Sequence, residues 1–211
     1  MNFLSPNQEF SDRSYDEVQK IASSCTNCQL SKGRTKVVFG NGPHPCDLML
    51  IGEAPGAEED LQGLPFVGRA GQLLSQILAS VGINRPNDIY IANTVKCRPP
   101  ENRAPQAEEQ EACSRFLYAQ IFQFVKPKII LLAGAPAVKA VLRSSEPMTQ
   151  IRGKWTKLPG TDIDVMPIFH PAYLLRNPSK EKGKPKWLTW QDVQEVKNAL
   201  DYIKKIKELN K

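Results

Sequence analysis

Four short apolar runs, separated by stretches of helical spacing, constrain this chain more than any other feature. CDLMLIG (46–52), DIYIANTV (88–95), KIILLAG (128–134) and DVMPIFH (164–170) read as buried strands. Pro167 weakens the last of these or places it at a sheet edge, because proline has no N–H for the ladder. Ala70–Val81 puts Leu73, Leu74, Ile77 and Leu78 on one helical face. Gln106–Val125 reads as a long helix containing Cys113, 135–143 as a shorter one, and Thr189–Leu209 as a final amphipathic one. Upstream, Ser14-Tyr15-Asp16-Glu17 looks like a helix start that runs into a turn at Cys25–Cys28. Strands that alternate with helices and are apolar along their whole length predict an α/β fold, a parallel sheet covered by helices on both faces.

The remaining composition narrows the class. A length of 211 residues allows one domain or two small ones, and an unbroken alternation favours a single domain over 1–211. Residues 1–20 form a polar N-terminal segment, and 179–211 a basic linker with the C-terminal helix. No apolar run is long enough for a membrane helix, and MNFLSPNQEF lacks the basic and apolar regions of a secretory signal. A cytoplasmic location is therefore expected, or an organelle reached by other means. The net charge of +6 suits a polyanionic partner such as nucleic acid. Much of it is local: residues 179–211 hold nine lysines against five acids, which is also the pattern of a solvated helix face with basic flanks.

In parallel sheets ligands collect outside the carboxyl ends of the strands, so chemistry is sought in the segments 52–68, 93–105, 134–136 and 170–178. Five cysteines are an odd number, and without an export signal they make a poor disulfide framework. Cys25 and Cys28 form a C-x2-C pair, with Cys97 and Cys113 far downstream. Together the four offer thiolates in the number that suits Zn²⁺ or an iron–sulfur cluster, and spacing does not separate the two. The blander reading makes Cys113 a buried core residue and Cys97 an isolated thiol. Cys46 precedes a core strand and reads as inert.

Three further stretches are specific in combination. The first runs from Gly52-Glu53-Ala54-Pro55-Gly56 through Glu59-Asp60 to Gly63-Leu64-Pro65-Phe66-Val67-Gly68-Arg69-Ala70-Gly71. The second is Asn93 through Pro105, the third His170-Pro171-Ala172 with Leu174-Leu175-Arg176. Taken singly, a Phe in a loop is usually core packing, an Asn after a strand a turn residue, and a His a structural donor. In this order after successive strands, and with the four cysteines, they closely resemble the iron–sulfur uracil-DNA glycosylases, family 4 of that superfamily. The resemblance spans about residues 20–205.

The resemblance implies a three-layer α/β/α fold with a central four-stranded parallel sheet. It implies a [4Fe–4S] cluster on Cys25, Cys28, Cys97 and Cys113, and a uracil pocket of Glu53, Ala54, Pro55, Phe66, Asn93 and His170. It further implies a monofunctional DNA repair enzyme that flips uracil out of single- or double-stranded DNA, acting as a monomer, and leaves an abasic site. The residue types suit that chemistry. An extruded base can stack on Phe66, while Asn93 can donate to uracil O4 and accept from N3–H, a pattern that cytosine reverses. His170 can donate to O2 of the departing anion without being charged. Glu53 is the acid to orient water or stabilise the sugar cation, or else it holds its own loop by accepting backbone N–H bonds. Leu174 matches an apolar wedge, and Arg176, Arg98 and Arg103 are candidates for phosphate contact. The loop KCRPPENRAP contains no His, which disfavours covalent attachment to DNA. From other classes, the alternatives are a non-catalytic or zinc-bound DNA- or nucleotide-binding module. His44 has no supporting context.

Overall fold

The computed structural model describes residues 8–210. The first seven residues of the polar N-terminal segment, and Lys211, lie outside the described residues. Five strands form one sheet: β1 (Leu48–Gly52), β2 (Tyr90–Asn93), β3 (Ile129–Ala133), β4 (Thr156–Lys157) and β5 (Asp164–Ile168), in the order β2-β1-β3-β5-β4. The four predicted strands make up the parallel part, with Met49 opposite Tyr90, Leu48 opposite Ile129, and Ile129 opposite Asp164. The two-residue β4 is an addition, pairing antiparallel with the outer side of β5.

Pro167 fits this arrangement without losing a ladder bond. The Asp164 N–H donates to Lys128 O, just before β3, and N–H directions alternate along a strand. The Pro167 nitrogen therefore points away from β3, to the side where its carbonyl accepts from Gly153 N–H, past the pairing of β4 with residues 164 and 165.

The helices are α1 (Tyr15–Ser23), α2 (Ala57–Gln62), α3 (Arg69–Ser80), α4 (Arg85–Asp88), α5 (Ala107–Tyr118), α6 (Ala135–Leu142), α7 (Met148–Ile151), α8 (Pro171–Arg176) and α9 (Pro185–Leu209). Ser14 caps α1 through a reciprocal bond with Glu17. The long helix predicted over 106–125 is α5 followed by a π-helical stretch, Ala119–Val125. The final helix begins four residues earlier than predicted, because Pro185 occupies its first position, where a missing N–H costs nothing. The segment 52–68, read as loop, holds α2, whose first turn carries Glu58, Glu59 and Asp60 against the positive end of the helix dipole.

Alternate residues of each strand enter opposite cores. Leu48, Leu50, Ile91, Ile129, Leu131 and Met166 pack with Leu74, Leu78, Val193 and Val196 of α3 and α9. Met49, Ile51, Ala92, Ile130, Leu132 and Val165 pack with Leu117, Ile121, Val138 and Val141 on the other face. This makes the three layers. A third core, with Phe10, Val18, Leu30, Phe39 and Phe116, fastens the N-terminal segment to α5 and contains Cys97 and Cys113. Among the described residues, no helix is long and apolar enough to cross a membrane.

Candidate active site

The carboxyl ends of the parallel strands open into one cavity of about 900 Å³. Glu53 follows β1, Asn93 ends β2, Gly134 follows β3, and His170 lies just beyond β5, so each strand delivers a residue to the lining. Ala54, Pro55 and Phe66 complete the same wall. Two glycines make this convergence possible. A Cβ on Gly52 would come within 2.5 Å of Asn93 Oδ1 and 2.7 Å of the Phe66 ring. A Cβ on Gly134 would press to 3.0 Å from His170 Cβ, and its φ of +90° is one that glycine adopts without strain.

Asn93 is 2% exposed, and its Oδ1 is buried without a hydrogen-bond partner. An acceptor left in that state costs about 1–3 kcal/mol. Its main-chain carbonyl is held instead, by Lys96 Nζ at 2.8 Å. Lys96 is itself completely buried and also donates to Gln120 Oε1 at 2.6 Å. Burial pulls the Lys96 ammonium down to about 8, although the nearby Cys113 and Cys97 sulfurs favour its charge.

The His170 ring lies 5.7 Å from the Phe66 ring, tilted by 35°. Its Nδ1 accepts from the Ala172 N–H at 3.1 Å, which leaves the ring proton on Nε2. Burial, reinforced by the Arg176 charge, lowers its pKa to about 4. The imidazole is therefore neutral at pH 7 and still a donor.

Glu53 lines the cavity, and burial raises its carboxyl above the usual range. Its carboxylate makes no hydrogen bond among the described residues, which corrects the reading of Glu53 as the loop's own anchor. That part belongs to Glu59, whose carboxylate accepts from Gly56, Val67 and Gly68 N–H. Its position three residues after Gly56 matches capping-box spacing, the one local signal that could have marked Glu59. The buried Lys96 and the distant Arg85, which donates to the Phe66 carbonyl, carry no local sequence signal.

The four cysteines converge on the third core. Cys97 and Cys113 are buried, Cys25 and Cys28 half-buried against them, and all are free thiols. Arg34 donates to Cys97 Sγ at 3.4 Å and to the Cys25 carbonyl at 2.7 Å, and Lys96 N–H donates to Cys113 Sγ at 3.3 Å. Burial pushes the Cys113 thiol up to about 12 and raises Cys97, and Cys28 adds to both electrostatically. Among the described residues, no three His, Cys, Asp or Glu side chains form a group able to hold a metal ion. Cys46 sits apart, donating to the Leu48 and Asp88 carbonyls.

The model of the uracil DNA glycosylase superfamily matches residues 39–194, from before β1 into α9. The type-4 uracil-DNA glycosylase of Thermotoga maritima is 43% identical over 200 residues, which cover 90% of this chain and 97% of that protein. The type-4 enzyme of Pyrobaculum aerophilum is 40% identical, over 77% of this chain and 85% of its own length. The type-5 enzyme of the same organism is 30% identical, over 60% and 62%. This chain belongs to the type-4 uracil-DNA glycosylase family.

The residues expected to meet DNA in this family take three different positions. Arg176 is exposed on the cavity rim. Arg103 also lines the rim, but its guanidinium forks onto Glu109 at 2.7 and 2.9 Å and braces the segment 98–105. Arg98 bonds Asn102 Oδ1 at 2.8 Å and does not line the cavity. Leu174 is fully buried, with α8 packed on α3, so it presents no apolar wedge; its neighbour Leu175 is half-buried. Sequence spacing showed an apolar pair after His170, but not which member faces inward.

Proposed function

We propose that this chain extrudes uracil from DNA into the cavity and hydrolyses its N-glycosidic bond, leaving an abasic site. The observation that carries this reading is the orphaned Asn93 Oδ1, buried beside an aromatic wall and a neutral imidazole donor. Uracil N3–H supplies the missing donor, and the Asn93 amide N–H meets O4. Cytosine presents the reverse pattern and would leave both groups unpaired. Phe66 stacks on the base, and Ala54 and Pro55, which line the same wall, exclude the thymine methyl group by packing.

Bond cleavage places negative charge on the departing base. His170 Nε2–H donates to O2 from a buried site, where a fixed donor is worth more than in water. Glu53, desolvated and without a hydrogen-bonding partner among the described residues, orients the water or stabilises the sugar cation. Arg176 contacts phosphate at the rim.

Cys25, Cys28, Cys97 and Cys113 fit a [4Fe–4S] cluster. Buried thiols raised by desolvation need a cationic partner to ionise, and N–H donors already point at two of the sulfurs. These four thiolates would hold such a cluster. It would supply a brace tying the N-terminal segment to α5 and to the segment after β2.

Incubation with a uracil-containing oligonucleotide, followed by alkali, is expected to break the strand at the uracil. Intact strands, both paired and unpaired, would refute the reading. The pH profile adds a second expected result. His170 stays neutral down to about 4, so it contributes no limb at the ordinary histidine value of about 6.5. Activity falls only as the medium becomes acid enough to protonate Glu53, at a pH above the usual carboxylate range. A limb near 6.5 that persists in Glu53→Gln, where that carboxyl can no longer titrate, would contradict the neutral-donor role.

A further inference from the structure

Phe66 adopts φ 51°, the left-handed region that a bulky side chain rarely enters. Left to itself, the residue would relax and carry its ring out of the cavity wall. Two groups distant in sequence oppose this. Arg85, at the start of α4, donates from Nη1 to the Phe66 carbonyl at 2.6 Å and from Nη2 to the Pro65 carbonyl at 2.5 Å. Glu59 takes the next two backbone groups, the N–H of Val67 and of Gly68, both at 2.9 Å. Four consecutive residues are thus gripped by one cation on their carbonyls and one anion on their amides. Ser75 Oγ steadies Arg85 at 3.0 Å, and among the described residues no carboxylate forms a salt bridge with it. Gly71 closes the arrangement, since a Cβ there would meet the Phe66 carbonyl.

We propose that Arg85 is a positioning residue that locks the backbone of residues 65–68, so that the Phe66 ring stands ready to stack on the extruded base. It touches no part of the substrate. A guanidinium spans two carbonyls with its rigid fork, which the single ammonium of a lysine cannot reproduce. The excision arm of the test rests on the proposed uracil chemistry; the exchange arm does not.

In single-turnover excision, Arg85→Met is expected to lose about tenfold in the wild-type background and under about twofold in a Phe66→Ala background, since coupled residues are not additive. Arg85→Lys should recover only part of the loss. Equal losses in both backgrounds would overturn the proposal, because a general stability role would act whether or not the ring is present. Amide hydrogen exchange on the intact protein is the independent arm. Val67 and Gly68 should exchange faster in Arg85→Met while the β1 amides keep their protection, and unchanged exchange at both would overturn the proposal. If the wild type leaves uracil in place and Arg85→Met still loosens Val67 and Gly68, the catalytic reading fails and the clamp stands.

Discussion

Asn93→Asp is expected to slow uracil excision at pH 8 by a factor of about 10²–10³, the loss typical of removing one preorganised donor from a developing anion. The substitution changes one nitrogen to oxygen at a site that is 2% exposed. In the proposed complex, the amide N–H that would meet O4 becomes a lone pair facing a lone pair. The repulsion grows as the base departs with negative charge, so the transition state suffers more than the bound ground state. Stability should change less than activity, because the main-chain carbonyl of residue 93 keeps its bond from Lys96. Single-turnover kinetics at saturating protein, alongside a melting curve, separate the two effects. A rate within tenfold of wild type would remove Asn93 from the chemistry.

The second large effect is expected from Cys97→Ala. Cys97 lies in the same buried group as Phe10, Val18, Leu30, Cys113 and Phe116, and Arg34 bridges it to the Cys25 carbonyl. With one corner lost, the proposed cluster no longer ties the N-terminal segment to the segment after β2. The protein should emerge colourless rather than brown, with little iron. Losing a covalent brace of this reach costs about 3 kcal/mol, by analogy with a disulfide. For a chain of this size, that corresponds to a fall in Tm of roughly 6–12 °C. Iron analysis and thermal denaturation check both parts, and undiminished iron would show that Cys97 is no ligand. Cys46→Ala is the matched control, since its thiol sits away from the other four and donates to the Leu48 and Asp88 carbonyls.

His170 adds a stability effect whose sign follows from its lowered pKa. The folded chain resists protonation down to about 4, whereas an unfolded histidine takes its proton near 6.5. Between those values the unfolded state binds more protons, so stability falls as the pH drops through that window. Denaturant midpoints at pH 7.5 and 4.5, compared between wild type and His170→Asn, should show a smaller fall in the variant.

Much of the scaffold was readable from local pattern. Leu48–Gly52 and Ile129–Ala133 are buried on both faces, and such strands appear in sequence as unbroken apolar runs. The side chains brought together at the cavity were readable as well, because Glu53 follows one such run while Asn93 and His170 fall toward the carboxyl ends of two others. The short helix α2 was missed because Gly56 and Gly63, which cap it at either end, read as loop residues. Leu174 was placed on the wrong side because a six-residue helix is too short for its period to show which face is buried.

The sequence by itself determined the strand–helix alternation, the family, and the residue types waiting at each strand end. These are local properties, written in spacing and polarity. Only the tertiary structure decided that Asn93 keeps an unpaired acceptor, that the neutral His170 carries its proton on Nε2, and that Arg85 and Glu59 hold the loop around Phe66. Those facts depend on burial and on side chains reaching the backbone of distant segments. A main-chain carbonyl or amide looks the same in every residue, so nothing in the sequence marks which one a remote charge will hold.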